Sequence, residues 1–201
     1  MLFLMEILLA SNNLHKQKEF NRLFPRHTLI IPGELGIDFK VSEDGLSFLD
    51  NALLKARALF TNTGRPVLAD DSGLCVTALG GQPGIYSARY GEEAGKDPLS
   101  DKERNRLLLK QIEGQQEREA FFVCCLVLIL AEYRLYIVQE TLTGVIASQP
   151  RGTGGFGYDP VFFLPELGKT VAELSGEEKN SLSHRGRAAR RLQCILELEL
   201  N

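Results

Sequence analysis

Apolar and polar positions along this chain fall into blocks whose period changes, and each change marks a predicted element. Residues 2–9 are almost continuously apolar, as in a strand covered on both faces, and Ser11-Asn12-Asn13 closes the block. A helix is predicted over 14–24, stopped by Pro25, and a second strand over 28–31, before a Pro-Gly loop. Ser47-Phe48-Leu49-Asp50 has the form of a capping box, and behind it Ala52, Ala56, Leu59 and Phe60 recur at helical spacing up to Gly64 and Pro66. An apolar run over 67–69 then meets Asp70 and Asp71. Ser72-Gly73 is expected to turn the chain there, before a second apolar run over 74–76. Ser100-Asp101-Lys102-Glu103 is another capping box, opening a helix that runs to Glu113 and Gly114. Residues 91–98 between them are polar and read as a mobile loop. The runs 121–131 and 135–147 read as strands joined by a hairpin at Glu132-Tyr133-Arg134. A glycine-rich stretch over 152–157, a short strand over 161–164 and a polar segment over 173–183 follow. The last helix, over 184–200, has Leu192, Ile195, Leu196 and Glu199 marking its two faces.

Strands linked now by helices and now by hairpins, with no repeat and no low-complexity linker, predict an α/β fold with a mixed sheet. A length of 201 residues suits one domain, or one domain with two lobes. The net charge of −3 argues against broad nucleic-acid binding, which needs a basic face. The first ten residues carry Glu6 and no positive leader, so they read as a strand and not a signal peptide. The longest apolar run, 121–131, is too short to cross a bilayer as a helix, so no membrane partner is expected. Cys75, Cys124, Cys125 and Cys194 show no metal-ligand spacing, and three lie in apolar segments. They are expected to be small buried hydrophobes of a reducing, cytoplasmic setting.

Candidate chemistry concentrates where these blocks join. Asp70 and Asp71 end an apolar run, and buried carboxylates are costly unless a cation meets them. Mg²⁺ is one answer, since it takes one or two carboxylates and fills its shell with waters and substrate phosphates. A solvated Asp-Ser-Gly turn is the other. Gly73, Gly80, Gly81 and Gly84, with Pro83, provide backbone that can approach a ligand closely. Ser11-Asn12-Asn13-Leu14-His15-Lys16 places amides and a lysine at a helix start, which serves either as a phosphate cradle or as a plain Asn cap beside a surface lysine. Lys55 lies off the apolar stripe of its helix, as a solvated residue or a phosphate contact, and Glu43-Asp44 form a second acidic pair beside Gly45. Two motifs mislead. Gly152, Gly154 and Gly157 match GxGxxG, but a dinucleotide turn must open a helix, and here Tyr158-Asp159-Pro160 and an apolar strand follow. Gly91 to Lys96 approaches a P-loop with its glycines one residue too close and Asp97 where Ser or Thr belongs.

The separate segments make one pattern. Ser11-Asn12-Asn13-x-x-Lys16 comes first, then Glu43-Asp44-Gly45 with Asn51-Ala52-x-x-Lys55, and Ala69-Asp70-Asp71-Ser72-Gly73-Leu74. Gly80-Gly81-x-Pro83-Gly84-x-x-Ser87-Ala88-Arg89, Phe156-Gly157-Tyr158-Asp159-Pro160 and Ser183-His184-Arg185-Gly186-x-Ala188 complete it. In this order, over nearly the whole chain, they strongly resemble the inosine triphosphate pyrophosphatase family, also called Ham1-like. The resemblance implies a long mixed sheet with flanking helices, two lobes around an active-site cleft, and a homodimer. It implies Mg²⁺-dependent cleavage of the purine nucleoside triphosphates ITP, dITP and XTP to the monophosphate and pyrophosphate, which keeps deaminated purines out of nucleic acid. It also implies roles for matching residues. Ser11, Asn12, Asn13, Leu14, His15 and Lys16 would hold the phosphates, with Lys55 assisting. Asp71 would be metal ligand and catalytic acceptor, with Asp70 and Glu43 beside it, and Ser72 would touch substrate. Phe156, Gly157, Tyr158, Asp159, Lys179, His184 and Arg185 would surround the base.

The chain departs from the family at Ser42, where many members carry the first of two adjacent glutamates, so Glu43 is expected to take the metal role. Arg185 has donors only and is expected to face the oxygen at purine position 6, sparing ATP, whose amino group donates there. Phe156 or Tyr158 would supply stacking that ignores that substituent. Two alternatives stay open. One is a non-catalytic nucleotide-binding or sensor protein, against which the acids speak, because they repel triphosphate unless a metal intervenes. The other is a pyrophosphatase for other modified nucleotides, pyrimidines included.

Overall fold

The structure, a computed structural model, describes residues 4–95 and 97–199. Its strands are Met5–Leu9 (β1), His27–Ile30 (β2), Val67–Val76 (β3), Glu119–Ala131 (β4), Arg134–Ile146 (β5), Phe162–Leu164 (β6) and Lys169–Thr170 (β7). They form one seven-stranded sheet in the order β2-β1-β3-β4-β5-β6-β7. β1 runs parallel to β2 and β3, whereas β5–β6 and β6–β7 are antiparallel, so the sheet is mixed as the sequence predicts. The helices are Leu14–Leu23 (α1), Phe48–Thr63 (α2), Asp101–Gln111 (α3), Gly176–Leu182 (α4) and His184–Glu199 (α5).

The chain divides into two compact units. The first comprises Met1–Asp71, Cys124–Glu140 and Arg185–Asn201, and the second Ser72–Val123 and Thr141–His184. In the first, side chains alternate across the sheet with the period of two that extended backbone imposes. Ile7, Leu9, Leu68, Cys124, Leu126 and Leu128 pack with Phe20 and Leu23 of α1 and with Ala188, Leu192 and Leu196 of α5. Their neighbours Leu8, Val67, Ala69, Cys125, Val127 and Ile129 pack with Ala52, Ala56 and Leu59 of α2. Thus α1 and α5 cover one face and α2 the other, which is why these strands read as continuous apolar runs. The second unit has its own core, in which Leu108 and Ile112 meet Phe122, Leu142, Tyr158, Val161 and Phe162.

Helix starts follow their caps. Asn13 Oδ1 accepts from the His15 and Lys16 amides at 2.9 and 3.2 Å, and Ser100 forms the full capping box with Glu103. Ser47 caps α2 through the Asp50 amide at 3.1 Å, but the Asp50 carboxylate takes the Ser47 hydroxyl, so the reciprocal half of the predicted box is absent among the contacts seen. Gly64, at φ 63°, ends α2 as expected.

Three expectations need correction. Ser72-Gly73 does not turn the chain, since β3 continues straight through both residues. The Pro-Gly stretch after β2 winds into a single 3-10 turn, Pro32–Leu35. The polar segment 173–183 contains α4, signalled by Ser175 and Glu178, which form a capping box, and the two residues of β7 are too few to show a strand period. Residues 2 and 3 of the first predicted strand, Leu200 of the last helix and Lys96 of the rejected P-loop lie outside the described residues.

Candidate active site

Extended backbone sends neighbouring side chains to opposite faces, so Asp70 and Asp71 of β3 part company despite their adjacency. Asp70 points to the α1 and α5 side. It is fully buried, with Lys16 Nζ at 2.7 Å, Arg185 Nη2 at 3.6 Å and the Cys124 thiol donating at 3.3 Å. Arg185, 3% exposed, also donates from Nη1 to Glu19 at 2.8 Å. Asp71 points to the α2 side. Lys55 Nζ donates to its Oδ1 at 2.8 Å and to Glu43 at 2.9 Å. The off-stripe position of Lys55 on α2 is therefore neither solvated nor idle: the residue is buried between two carboxylates.

Burial pushes the Asp71 carboxyl above its ordinary value, against the pull of Lys55 and Lys16. The same burial works to strip Lys55 of its proton, but Asp71 and Glu43 hold the ammonium above its usual range. The second Asp71 oxygen, Oδ2, is buried and accepts no hydrogen bond among the described residues. An orphaned carboxylate oxygen inside a protein calls for a cation or a polar ligand. Mg²⁺ fits here, because it needs only one or two carboxylates and completes its shell from substrate and water. No group of three or more His, Cys, Asp and Glu among the described residues could cage a metal by itself. Glu43 is the half-buried member of its acidic pair, and Ser42 and Asp44 are exposed on either side. We expect Glu43→Gln to raise the Mg²⁺ concentration needed for half-maximal activity, with Asp44→Asn unchanged. The reverse pattern in the two titrations would assign the wrong acid.

At the start of α1, several predicted phosphate contacts already hold structure. Asn12 Nδ2 donates to the Phe39 carbonyl at 2.8 Å, Ser11 Oγ accepts from the Asn13 amide at 3.1 Å, and Leu14 and His15 are exposed.

The second unit carries a separate cluster. Asp159 Oδ2 accepts from the Phe156 amide at 2.9 Å and from Lys179 Nζ of α4 at 2.7 Å. Lys179 also lies 4.8 Å from the Phe156 ring centre, a cation–π distance. Tyr158 donates its hydroxyl to the Ser87 carbonyl at 2.9 Å, and burial pushes that phenol up. His184 is buried and stacks on Phe122, with ring centres 4.7 Å apart. Gly157 adopts φ 63°, which only glycine takes without strain, and Ser72 is half-buried in β3 immediately after Asp71.

The geometry adds residues to these clusters. Glu19 follows Lys16 by one helical turn, a spacing that places both on one face of α1 and could have flagged it. Cys124 gave only an apolar signal. Asp101 and Asn105, one turn apart at the start of α3, contact Gly157, and nothing in the sequence ties them to that loop.

A model described as "Ham1 family" matches residues 7–195. A dITP/XTP pyrophosphatase from Treponema denticola is 50% identical over 184 residues, covering 92% of this chain and 94% of that one. One from Nitrosomonas europaea is 47% identical over 195 residues, covering 95% and 94%. Among solved structures, the Staphylococcus aureus Ham1 protein superposes with a TM-score of 0.85 at 43% identity, covering 96% of this chain and 99% of that one. A HAM1 protein from Coxiella burnetii gives 0.86 at 38% identity, with the same shares covered.

Proposed function

The chain belongs to the Ham1 family, and on that premise we propose that it is a nucleoside triphosphate pyrophosphatase. It hydrolyses ITP, dITP and XTP to the monophosphate and pyrophosphate. The observation that carries this reading is the Asp71–Lys55–Glu43 set, with a buried carboxylate oxygen left over for a polar ligand.

Cleavage between the α and β phosphates needs a water aimed at the α phosphorus and charge neutralised on the departing pyrophosphate. Asp71 and Glu43 would hold Mg²⁺, which when bound supplies the positive charge that the leaving phosphates require. Asp71 is the acceptor for the proton of the attacking water, and the pull of burial on its carboxyl suits that task. Lys55 stays protonated beside it and, with Lys16, meets charge developing on the phosphates. The loop from Phe156 to Asp159, braced by Lys179, holds the base. No serine or cysteine is needed as nucleophile, and the phosphoryl oxygen gained comes from water.

Sign matters for the pH profile. A carboxyl whose proton affinity is raised stops acting as acceptor at a higher pH than an ordinary aspartate as the solution is acidified. At limiting Mg²⁺, where little cation competes with the proton for Asp71, we expect the acid limb of kcat/KM for ITP to lie above the usual aspartate range and to vanish with Asp71. A limb inside that range under the same condition would take the role from this residue. The function itself is tested by pyrophosphate release from a panel of ITP, dITP, XTP, the four standard purine triphosphates and modified pyrimidine triphosphates with Mg²⁺. Preference for the first three supports the reading, and preference for pyrimidines overturns it. A homodimer and a cytoplasmic setting belong to the same proposal. Light scattering tests the first, and the four free cysteines accord with the second.

A further inference from the structure

The loop assigned to the base is closed on itself by the Phe156 amide on Asp159, and it is held from outside at Gly157. Gly157, half-buried, sits within it with positive φ, a conformation that glycine adopts at no steric cost. Both of its backbone polar groups are gripped by one helix. The Gly157 amide donates to Asp101 Oδ2 at 2.7 Å, and the Gly157 carbonyl accepts from Asn105 Nδ2 at 3.0 Å. Asp101 and Asn105 are four residues apart on the first turns of α3, so they project side by side. The helix beneath them is anchored independently, by the Ser100 capping box and by Leu108 and Ile112 in the core of the second unit. Asn105 is itself buried.

Asp101 has a competing explanation. It lies in the first turn of α3, where negative charge is favoured, and Arg104 pairs with it at 2.5 Å. Neither effect requires a bond to Gly157, and neither involves Asn105. The two-point hold on Gly157, through the peptide on each side of it, involves both residues. A charged acceptor and an amide donor one turn apart match one amide and one carbonyl, and they fix the direction in which the neighbouring Phe156 and Tyr158 leave the backbone.

We infer that Asp101 and Asn105 are positioning residues for substrate binding, a clamp through which α3 sets the pose of the Phe156–Asp159 loop. The inference rests on the reading that this loop holds the base. The clamp holds the backbone of Gly157 and takes no part in the chemistry assigned to the acids and lysines, so losing it weakens binding of ground and transition states alike. That signature is a raised KM with kcat preserved.

The experiment measures kcat and KM for ITP, with thermal melting alongside, in Asp101→Ala, Asp101→Asn, Asn105→Ala, Arg104→Ala and Phe156→Ala. Asp101→Ala should raise KM on the order of tenfold, the value of one charge-assisted hydrogen bond, and leave kcat within about twofold. Asp101→Asn should recover most of the loss in KM, because its amide oxygen still accepts from Gly157 although the charge is gone. Arg104→Ala should leave KM at the wild-type value. Should Asp101→Ala fail to fold, Asn105→Ala carries the same expectation from the carbonyl side. A raised KM in Phe156→Ala with wild-type KM in both Asp101→Ala and Asn105→Ala overturns the clamp and spares the loop assignment. An unchanged KM in Phe156→Ala overturns the loop assignment and the clamp with it. If Asp101→Asn and Arg104→Ala are as impaired as Asp101→Ala, the aspartate acts only by its charge on α3, and the clamp is refuted.

Discussion

Asp71→Asn should lower kcat/KM for ITP by about two orders of magnitude or more and leave the fold intact. The substitution keeps the shape of the side chain and an oxygen for Lys55, whose ammonium also retains Glu43 at 2.9 Å. What it removes is the negative charge and the free acceptor at Oδ2, the one buried carboxylate oxygen of this set that accepts no hydrogen bond among the described residues. The circular dichroism spectrum should match wild type, and the melting temperature should hold, because burial disfavours the charge that the substitution deletes. Turnover close to wild type at saturating Mg²⁺ would end the assignment of Asp71 as acceptor. Complete loss of structure would instead show that the residue holds the fold through Lys55.

Much of this architecture was legible because the local signals agree with one another. Asn13, Ser47 and Ser100 each announce a helix start, and each caps one. The apolar runs over 67–69 and 121–131 are strands flanked by helices, for which continuous hydrophobicity is the expected pattern. The errors share a cause. Ser72-Gly73 looks like a turn because turn propensity is local, whereas β3 is held extended by its neighbours and by the charges that compensate Asp70 and Asp71. The acidic pair was legible as a site but not as two carboxylates on opposite faces of a strand. Only the period of the strand separates Asp70, with its arginine and thiol, from Asp71, with its lysine and glutamate. Likewise no spacing rule connects Asp101 and Asn105 to a loop more than fifty positions later, with separations of 56 and 52 residues.

The second large effect is expected at Arg185, where two roles meet. The guanidinium is 3% exposed, bonds Glu19 at 2.8 Å, approaches Asp70 at 3.6 Å and lies 5.7 Å from the Phe20 ring centre. Removing one partner of a buried ion pair leaves the other charged and desolvated, at a cost of about 3–5 kcal/mol. For a chain of this length each kcal/mol lowers the melting temperature by roughly 2–4 °C, so Arg185→Ala should melt on the order of 10 °C below wild type. Lys16 keeps Asp70 partly compensated at 2.7 Å, so the variant should still fold in the cold. Arg185→Lys should recover part of the loss, since it restores charge without the planar fork. The family resemblance adds a second expectation, that this donor-only group reads the oxygen at purine position 6. Assayed well below both melting temperatures, Arg185→Ala should then lose more kcat/KM on ITP than on ATP, narrowing the ratio between them, and Arg185→Lys should not restore that ratio. A donor facing an amino group leaves both without partners, and buried unpaired polar groups are what give a site its largest discrimination. A lowered melting temperature with equal proportional losses on the two substrates would leave Arg185 as the counter-charge of Glu19 and Asp70 and assign the choice of base to the loop that carries Phe156.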